Sequence, residues 1–126
     1  MIEIVFAHTD EKLHELYRGK LHPHVRMHAA VDGLSALRKI KIIQPQLIIS
    51  DVQLPFLSGL SLLKYIRNHK ELVSTGFIFL TQEPMHEEAL NLGANEWIHA
   101  HIIPHDQIVR KILSHLKIKI TNQTNV

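Results

Sequence analysis

Short apolar runs alternate along the chain with longer segments in which apolar residues recur every three or four positions. The runs predict strands over residues 2–7, 25–29, 46–50, 76–80 and 96–99. The first intervening segment reads as a helix over 10–19, with Thr9 or Asp10 as N-cap, Leu13 and Leu16 on the buried face and Gly19 as the stop. A second helix opens at Asp32, spaces Leu34, Leu37 and Ile40 along one stripe and ends before Pro45, which cannot continue it. The third runs from Ser58 to residue 70 and buries Leu60, Leu63 and Ile66. A short fourth is predicted from Pro84, a residue suited to a first helical turn, to Gly93. The fifth opens at Pro104 and carries Ile108, Ile112, Leu113 and Leu116 on one face.

Strict alternation of strand and helix implies parallel strands joined by right-handed crossovers, with helices on both faces of one sheet. The third and fourth strands fit that arrangement, since Leu47, Ile48 and Ile49, like Phe77 to Leu80, are continuously apolar. In such doubly wound α/β folds, functional groups gather at the carboxyl ends of the strands. Those ends carry His8 and Thr9, Asp51, Thr81, and Ala100 or His101. The expected domain is 1–119, followed by a polar tail or linker over 120–126.

Composition narrows the classes without choosing among them. A chain of 126 residues with 45% hydrophobic and 21% charged residues is the size and make-up of one globular domain. No apolar run approaches the ~20 residues of a membrane span. The first apolar run has no basic segment ahead of it and reads as a strand rather than a secretion signal, so a cytoplasmic location is expected. The absence of cysteine excludes disulfides and thiolate metal sites. The pI is about 9.0, but the net charge is only +2 with the basic residues dispersed, so direct nucleic-acid binding is not expected.

Asp51 at a strand end, Pro55 four residues on, Gly59 eight on, Thr81 closing the fourth strand and Gly93-Ala94-Asn95-Glu96-Trp97 entering the fifth form one pattern. It resembles the receiver (response regulator) domains of two-component signalling, over nearly the whole chain. The resemblance implies a flavodoxin-like (βα)5 sandwich with strand order 2-1-3-4-5. It also implies a role for each matching position. Asp51 would be the phosphoacceptor and Thr81 a contact of the phosphoryl group. Gln53 would offer a backbone carbonyl to a Mg²⁺ ion, and Trp97 stands at the position of the switch aromatic.

The same comparison exposes departures. Where the family carries two acids after the first strand, this chain has His8 and Thr9, and imidazole is a poor ligand for Mg²⁺. Sliding the register to bring Asp10 in would turn Leu13 and Leu16 away from the core. The family's lysine after the fifth strand, followed by proline, is replaced by Ala100, or by His101 in a shifted register. Gln82 stands where a small residue is usual and would narrow access to Asp51. These changes predict weak or absent Mg²⁺ binding, no enzymatic activity, and a pseudo-receiver that keeps the fold while working through protein contacts independent of phosphorylation. A phosphoacceptor working with a degenerate site is the alternative. In the pseudo-receiver, Asp51 is expected to hydrogen-bond or ion-pair with Thr81 or a neighbouring histidine.

Two further expectations concern the surface. Glu83, Glu87 and Glu88 are placed on the fourth helix and Arg110, Lys111, Lys117 and Lys119 on the fifth, a polarity that suits an isologous homodimer through helix 4, strand 5 and helix 5. The other expected partners are an output domain, a kinase or a regulator. The eleven histidines include two groups, His22, His24 and His28 around the second strand, and His99, His101 and His105 around the end of the fifth. Neither group is completed by an acid or cysteine at a diagnostic spacing, which leaves metal or pH sensing as a third reading.

Overall fold

The computed structural model describes residues 1–116. The chain alternates β1 (Ile2–Ala7), α1 (Glu11–Leu21), β2 (Val25–Ala30), α2 (Gly33–Ile43), β3 (Leu47–Ser50), α3 (Gly59–Arg67), β4 (Gly76–Thr81), α4 (Glu87–Asn91), β5 (Glu96–His99) and α5 (His105–His115). All strand pairs are parallel and their order is β2-β1-β3-β4-β5. This is the predicted flavodoxin-like sandwich. Lys117, Lys119 and the expected domain boundary lie outside the described residues.

Two cores sandwich the sheet. On one face Val5, Ile48, Phe77 and Phe79 pack under Ile40 of α2 and Leu62, Leu63 and Ile66 of α3. On the other, Ile4, Phe6, Ile49, Ile78 and Leu80 pack under Tyr17 of α1 and Ile108 and Ile112 of α5. Leu47 to Ser50 are all buried, as a central parallel strand covered on both sides requires.

The helix starts follow side-chain chemistry. Asp10 Oδ1 accepts from the Lys12 N–H at 2.9 Å, Asp32 Oδ1 from the Ser35 N–H at 2.7 Å and Ser58 Oγ from the Ser61 N–H at 3.1 Å. Besides α3, which ends at Arg67 and turns Leu62 fully inward while Leu60 is only half-buried, four details of the predicted helices change. Gly19 does not stop α1, which continues to the fully buried Leu21 and ends at the His22–Pro23 step. The buried stripe of α1 is His14, Tyr17 and Leu21, with Leu13 and Leu16 only half-buried beside it. Helix α2 turns Gly33, Ala36 and Ile40 inward and leaves Leu34 40% exposed. Small residues face in there because the helix start lies on the β3–α3 loop, so close that a Cβ on Gly33 would sit 1.8 Å from the Leu57 carbonyl oxygen.

The fourth change is the largest. Helix α4 has five residues and begins at Glu87, so Pro84 and Glu83 belong to the preceding loop and not to a helix. Glu83 is instead tied to the sheet. The Trp97 indole N–H donates to its carbonyl at 3.1 Å, and its own N–H donates to Thr81 Oγ1 at 3.3 Å.

Candidate functional site

The carboxyl ends of β1, β3 and β4 converge on Asp51. The backbone after β3 is set by contact: the Gly59 N–H donates to the Val52 carbonyl at 2.8 Å, and a Cβ on Gly59 would lie 2.2 Å from the Asp51 carbonyl oxygen. No residue but glycine fits that approach without moving the loop. Pro55 follows in the turn, and Ser58 caps the helix that leads away, which leaves the Asp51 side chain 18% exposed at the sheet edge.

Each carboxylate oxygen of Asp51 has a neighbour. Oδ1 accepts from the Thr81 hydroxyl at 2.6 Å and from the Val52 N–H at 2.7 Å. Oδ2 lies 3.4 Å from His8 Nε2. The other ring nitrogen of His8, Nδ1, is 3.0 Å from the Asp10 backbone nitrogen and accepts its N–H. That bond settles the tautomer, because a nitrogen that accepts carries no proton, so the neutral ring presents Nε2–H toward Asp51. Burial pushes the His8 pKa below the ordinary imidazole range, against the opposing pull of Asp51 and then Asp10.

The other candidates fall in different places. Thr9 is exposed at the rim. Asp10 spends its carboxylate on capping α1, so the shifted register that would have brought it to Asp51 does not occur. Ala100 is hydrogen-bonded through its N–H to the Thr81 carbonyl at 2.9 Å and packs its methyl on the core, while His101 is exposed in the following turn. Gln82 is exposed, and the residues lining the cleft do not include it. Trp97 packs on Phe79 at 5.0 Å and is covered by His86, 5.3 Å away with the rings inclined by 29°.

Above Asp51 opens a cleft of about 700 Å³ lined by Thr9, Asp51, Gln53, Pro55, Ser58 and Glu83, among others. The sequence pattern places Glu83 on a helix, whereas in the structure it stands on the wall of this cleft. The signal that could have found it is period two: two residues beyond Thr81, it falls on the same side of an extended chain. Its carboxylate lies 3.4 Å from His86 Nε2.

The charged face formed by α4, β5 and α5 is also less open than the sequence suggested. Lys111 pairs with Glu96 at 2.8 Å, His115 with the same carboxylate at 2.7 Å, and Glu88 with Lys64 at 3.6 Å. The histidine groups do not assemble. His28 bonds Glu3 at 2.7 Å and His105 bonds the Tyr17 hydroxyl at 2.6 Å. Among the described residues no three His, Cys, Asp or Glu side chains are grouped to hold a metal.

Residues 8–113 match the response regulator receiver domain family, and the chain belongs to it. It is a receiver domain of two-component signalling, a class that works through kinases and output domains. The fold is similar to that of the Francisella response regulator 1452 receiver domain, with a TM-score of 0.80 at 25% identity over 93% of this chain and 98% of that one. It is similar also to the chemotaxis response regulator CheY4 of Vibrio cholerae, with a TM-score of 0.82 at 21% identity, over 91% and 98% of the two chains. Among curated proteins, it is 43% identical over 72 residues to a protein-glutamate methylesterase/protein-glutamine glutaminase of Trichodesmium erythraeum, covering 55% of this chain and 20% of that protein. A protein of the same description from Syntrophomonas wolfei is 36% identical over 87 residues, covering 68% and 24%. The match thus spans about a fifth to a quarter of those relatives' length. No helix among the described residues is long and apolar enough to cross a membrane.

Proposed function

We propose that this receiver domain is a pseudo-receiver, acting through protein contacts that do not depend on phosphorylation of Asp51. The observation that carries the reading is the position of His8. Its Nε2–H faces the Asp51 oxygen left over after Thr81 and Val52 have taken the other. A metal-binding imidazole would need its lone pair on that side, and the Asp10 N–H already occupies the lone pair on the far side. The donor set does not fit Mg²⁺, which prefers six oxygens in octahedral array. Thr9 carries no charge and Asp10 is committed to its helix, so Asp51, the Gln53 carbonyl and a Glu83 carboxylate that lies 3.4 Å from His86 are what remains, fewer oxygens than the ion prefers.

The phosphoryl side is equally depleted. Ala100 has no donor to offer and His101 stands in solvent. Removing one preorganised electrostatic group of this kind costs a reaction about 10²-fold or more, and two are missing. One observation favours the rival reading of a slow phosphoacceptor: the carboxylate still opens onto a cleft of about 700 Å³.

The deciding experiment titrates the chain with Mg²⁺ and beryllofluoride while following Trp97 fluorescence and backbone NMR. No saturable shift at Asp51, Thr81 or Trp97 is expected for the natural chain. The double variant His8→Asp, Ala100→Lys should acquire one, together with acetyl phosphate labelling at least ~10²-fold faster, and Asp51→Ala should abolish both gains. Saturable binding by the natural chain, lost in Asp51→Ala, refutes the pseudo-receiver.

A further inference from the structure

The cleft over Asp51 is acidic. Asp51 and Glu83 both line it, and none of the residues lining it is basic. His8 does not neutralise Asp51, because burial and its accepted hydrogen bond from Asp10 keep the ring uncharged. His86 balances Glu83 only when it is itself protonated. Two carboxylates sharing one cleft repel each other, and a cation between them relieves that repulsion.

The rim of the same cleft is apolar and exposed. Pro55 lines the cleft, and the next residue, Phe56, is 81% exposed with a left-handed φ of 70°. The start of α2 abuts this loop, with the Gly33 N–H donating to the Pro55 carbonyl at 3.0 Å, and brings Val31 (44% exposed) and Leu34 (40% exposed) alongside. A bulky residue in that backbone region is disfavoured, and this one gains no burial inside the chain in return. Exposed aromatic anchors beside a polar pocket are the usual make-up of a protein contact surface.

We propose that the cleft receives a lysine or arginine side chain of a partner protein, while Phe56, Leu34 and Val31 seat the apolar residues flanking it. Charge complementarity selects the cation, and the apolar rim selects a polypeptide over a free amine. The inference rests on the pseudo-receiver reading in that the cleft is used for docking and not for phosphoryl chemistry.

The test uses the full chain in magnesium-free buffer and three probes: acetyl-Leu-Arg-Leu-amide, its citrulline counterpart and ethylguanidinium. The arginine peptide should give saturable NMR shifts at the amides of Gln53, Phe56, Ser58 and Glu83. Its affinity should fall roughly tenfold with citrulline in place of arginine, and by a similar factor in Glu83→Gln. Phe56→Ala, on the exposed rim, should weaken the peptide several-fold and leave ethylguanidinium unchanged, a pattern that a general loss of folding would not produce. The absence of saturable shifts up to tens of millimolar, equal binding of the citrulline peptide, or displacement by millimolar Mg²⁺ alone would each overturn the proposal. The beryllofluoride titration is read separately, so a chain that binds the phosphoryl mimic and also discriminates arginine from citrulline refutes the pseudo-receiver and keeps the socket.

Discussion

The two halves of the strand-end site differ in what holds them. On the β3–β4 side, Asp51, Thr81, Pro55 and Gly59 hold the arrangement expected of a receiver, with the Thr81 hydroxyl 2.6 Å from the Asp51 carboxylate. On the β1 and β5 side, a buried imidazole and an alanine methyl stand where metal ligands and an ammonium were expected. The difference follows from what each half is made of. Gly59 is fixed by a backbone approach that no other residue tolerates, and Thr81 lies inside the sheet. At position 8 the strand ladder is carried by the backbone, with the His8 N–H donating to the Ala30 carbonyl at 2.9 Å, so a buried His stands there beside Phe6 without disturbing a strand. Packing constrains one half, and side-chain chemistry alone distinguishes the other.

The packed half should be the more sensitive of the two to substitution. Gly59→Ala places a methyl 2.2 Å from the Asp51 carbonyl oxygen and 2.9 Å from the Phe79 ring, and backbone cannot swing away as a flexible side chain would. We expect a loss of about 3 kcal/mol, the upper end for an overpacked site, measured by urea or thermal unfolding. A cost below about 1 kcal/mol would show that the loop yields easily and that close packing is not what preserves this half.

The half that carries His8 should respond instead to pH. Burial lowers the pKa of His8, against Asp51 and Asp10, and that of His14, which also feels His8, Arg18 and Glu11. His14 Nε2 has no hydrogen-bond partner among the described residues, so protonation there finds no acceptor waiting. Both rings are held neutral in the folded chain and titrate near 6.5 when unfolded. Their stabilisation is therefore complete above pH 6.5 and is lost as pH falls from there toward the lowered folded values. Each ring adds a slope of up to about 1.4 kcal/mol per pH unit in that window. Unfolding curves between pH 7 and 5 should show the decline, and His8→Gln with His14→Leu should flatten it. The carboxylates of Glu3, lowered by its hydrogen bond to His28, and of Glu96, where burial pushes up but Lys111 and His115 together outweigh it, act only at more acid pH.

The fold was legible because strand periodicity and turn residues agree along the chain: β1 and β5 fall where the apolar runs place them, and Asp32, Pro45 and Ser58 bound their helices as their chemistry requires. The start of α4 was not legible. Pro84 is a good first helical residue by local preference, but the Trp97 indole reaches across thirteen intervening residues to hold the Glu83 carbonyl, and no local pattern announces that bond. The site shows the same division. That His8 replaces an acid could be read directly; that its Nε2–H points at Asp51 depends on a backbone N–H at Asp10, which only the folded turn supplies. The buried face of α1 was misjudged for a related reason, since His14 and Tyr17 look polar in sequence and are packed against Phe6 in the fold.

On the loop after β3, stability and binding should separate by a small margin. Phe56→Gly removes a bulky side chain from a left-handed φ of 70° and, because the ring is 81% exposed, sacrifices little burial. Relief of the disfavoured conformation contributes about 1–2 kcal/mol, and the greater freedom of glycine in the unfolded chain returns roughly half of that. The net should be a gain of about 0.5–1 kcal/mol, visible as a melting temperature raised by a few degrees. If Phe56 serves only the fold, stability and peptide affinity should move together. A docking residue maintained at the expense of the fold requires them to move apart, with the glycine variant more stable and weaker toward the arginine peptide. A variant that melts lower than the natural chain would show that the exposed ring stabilises its own loop, and would remove the reason to look for a partner above it.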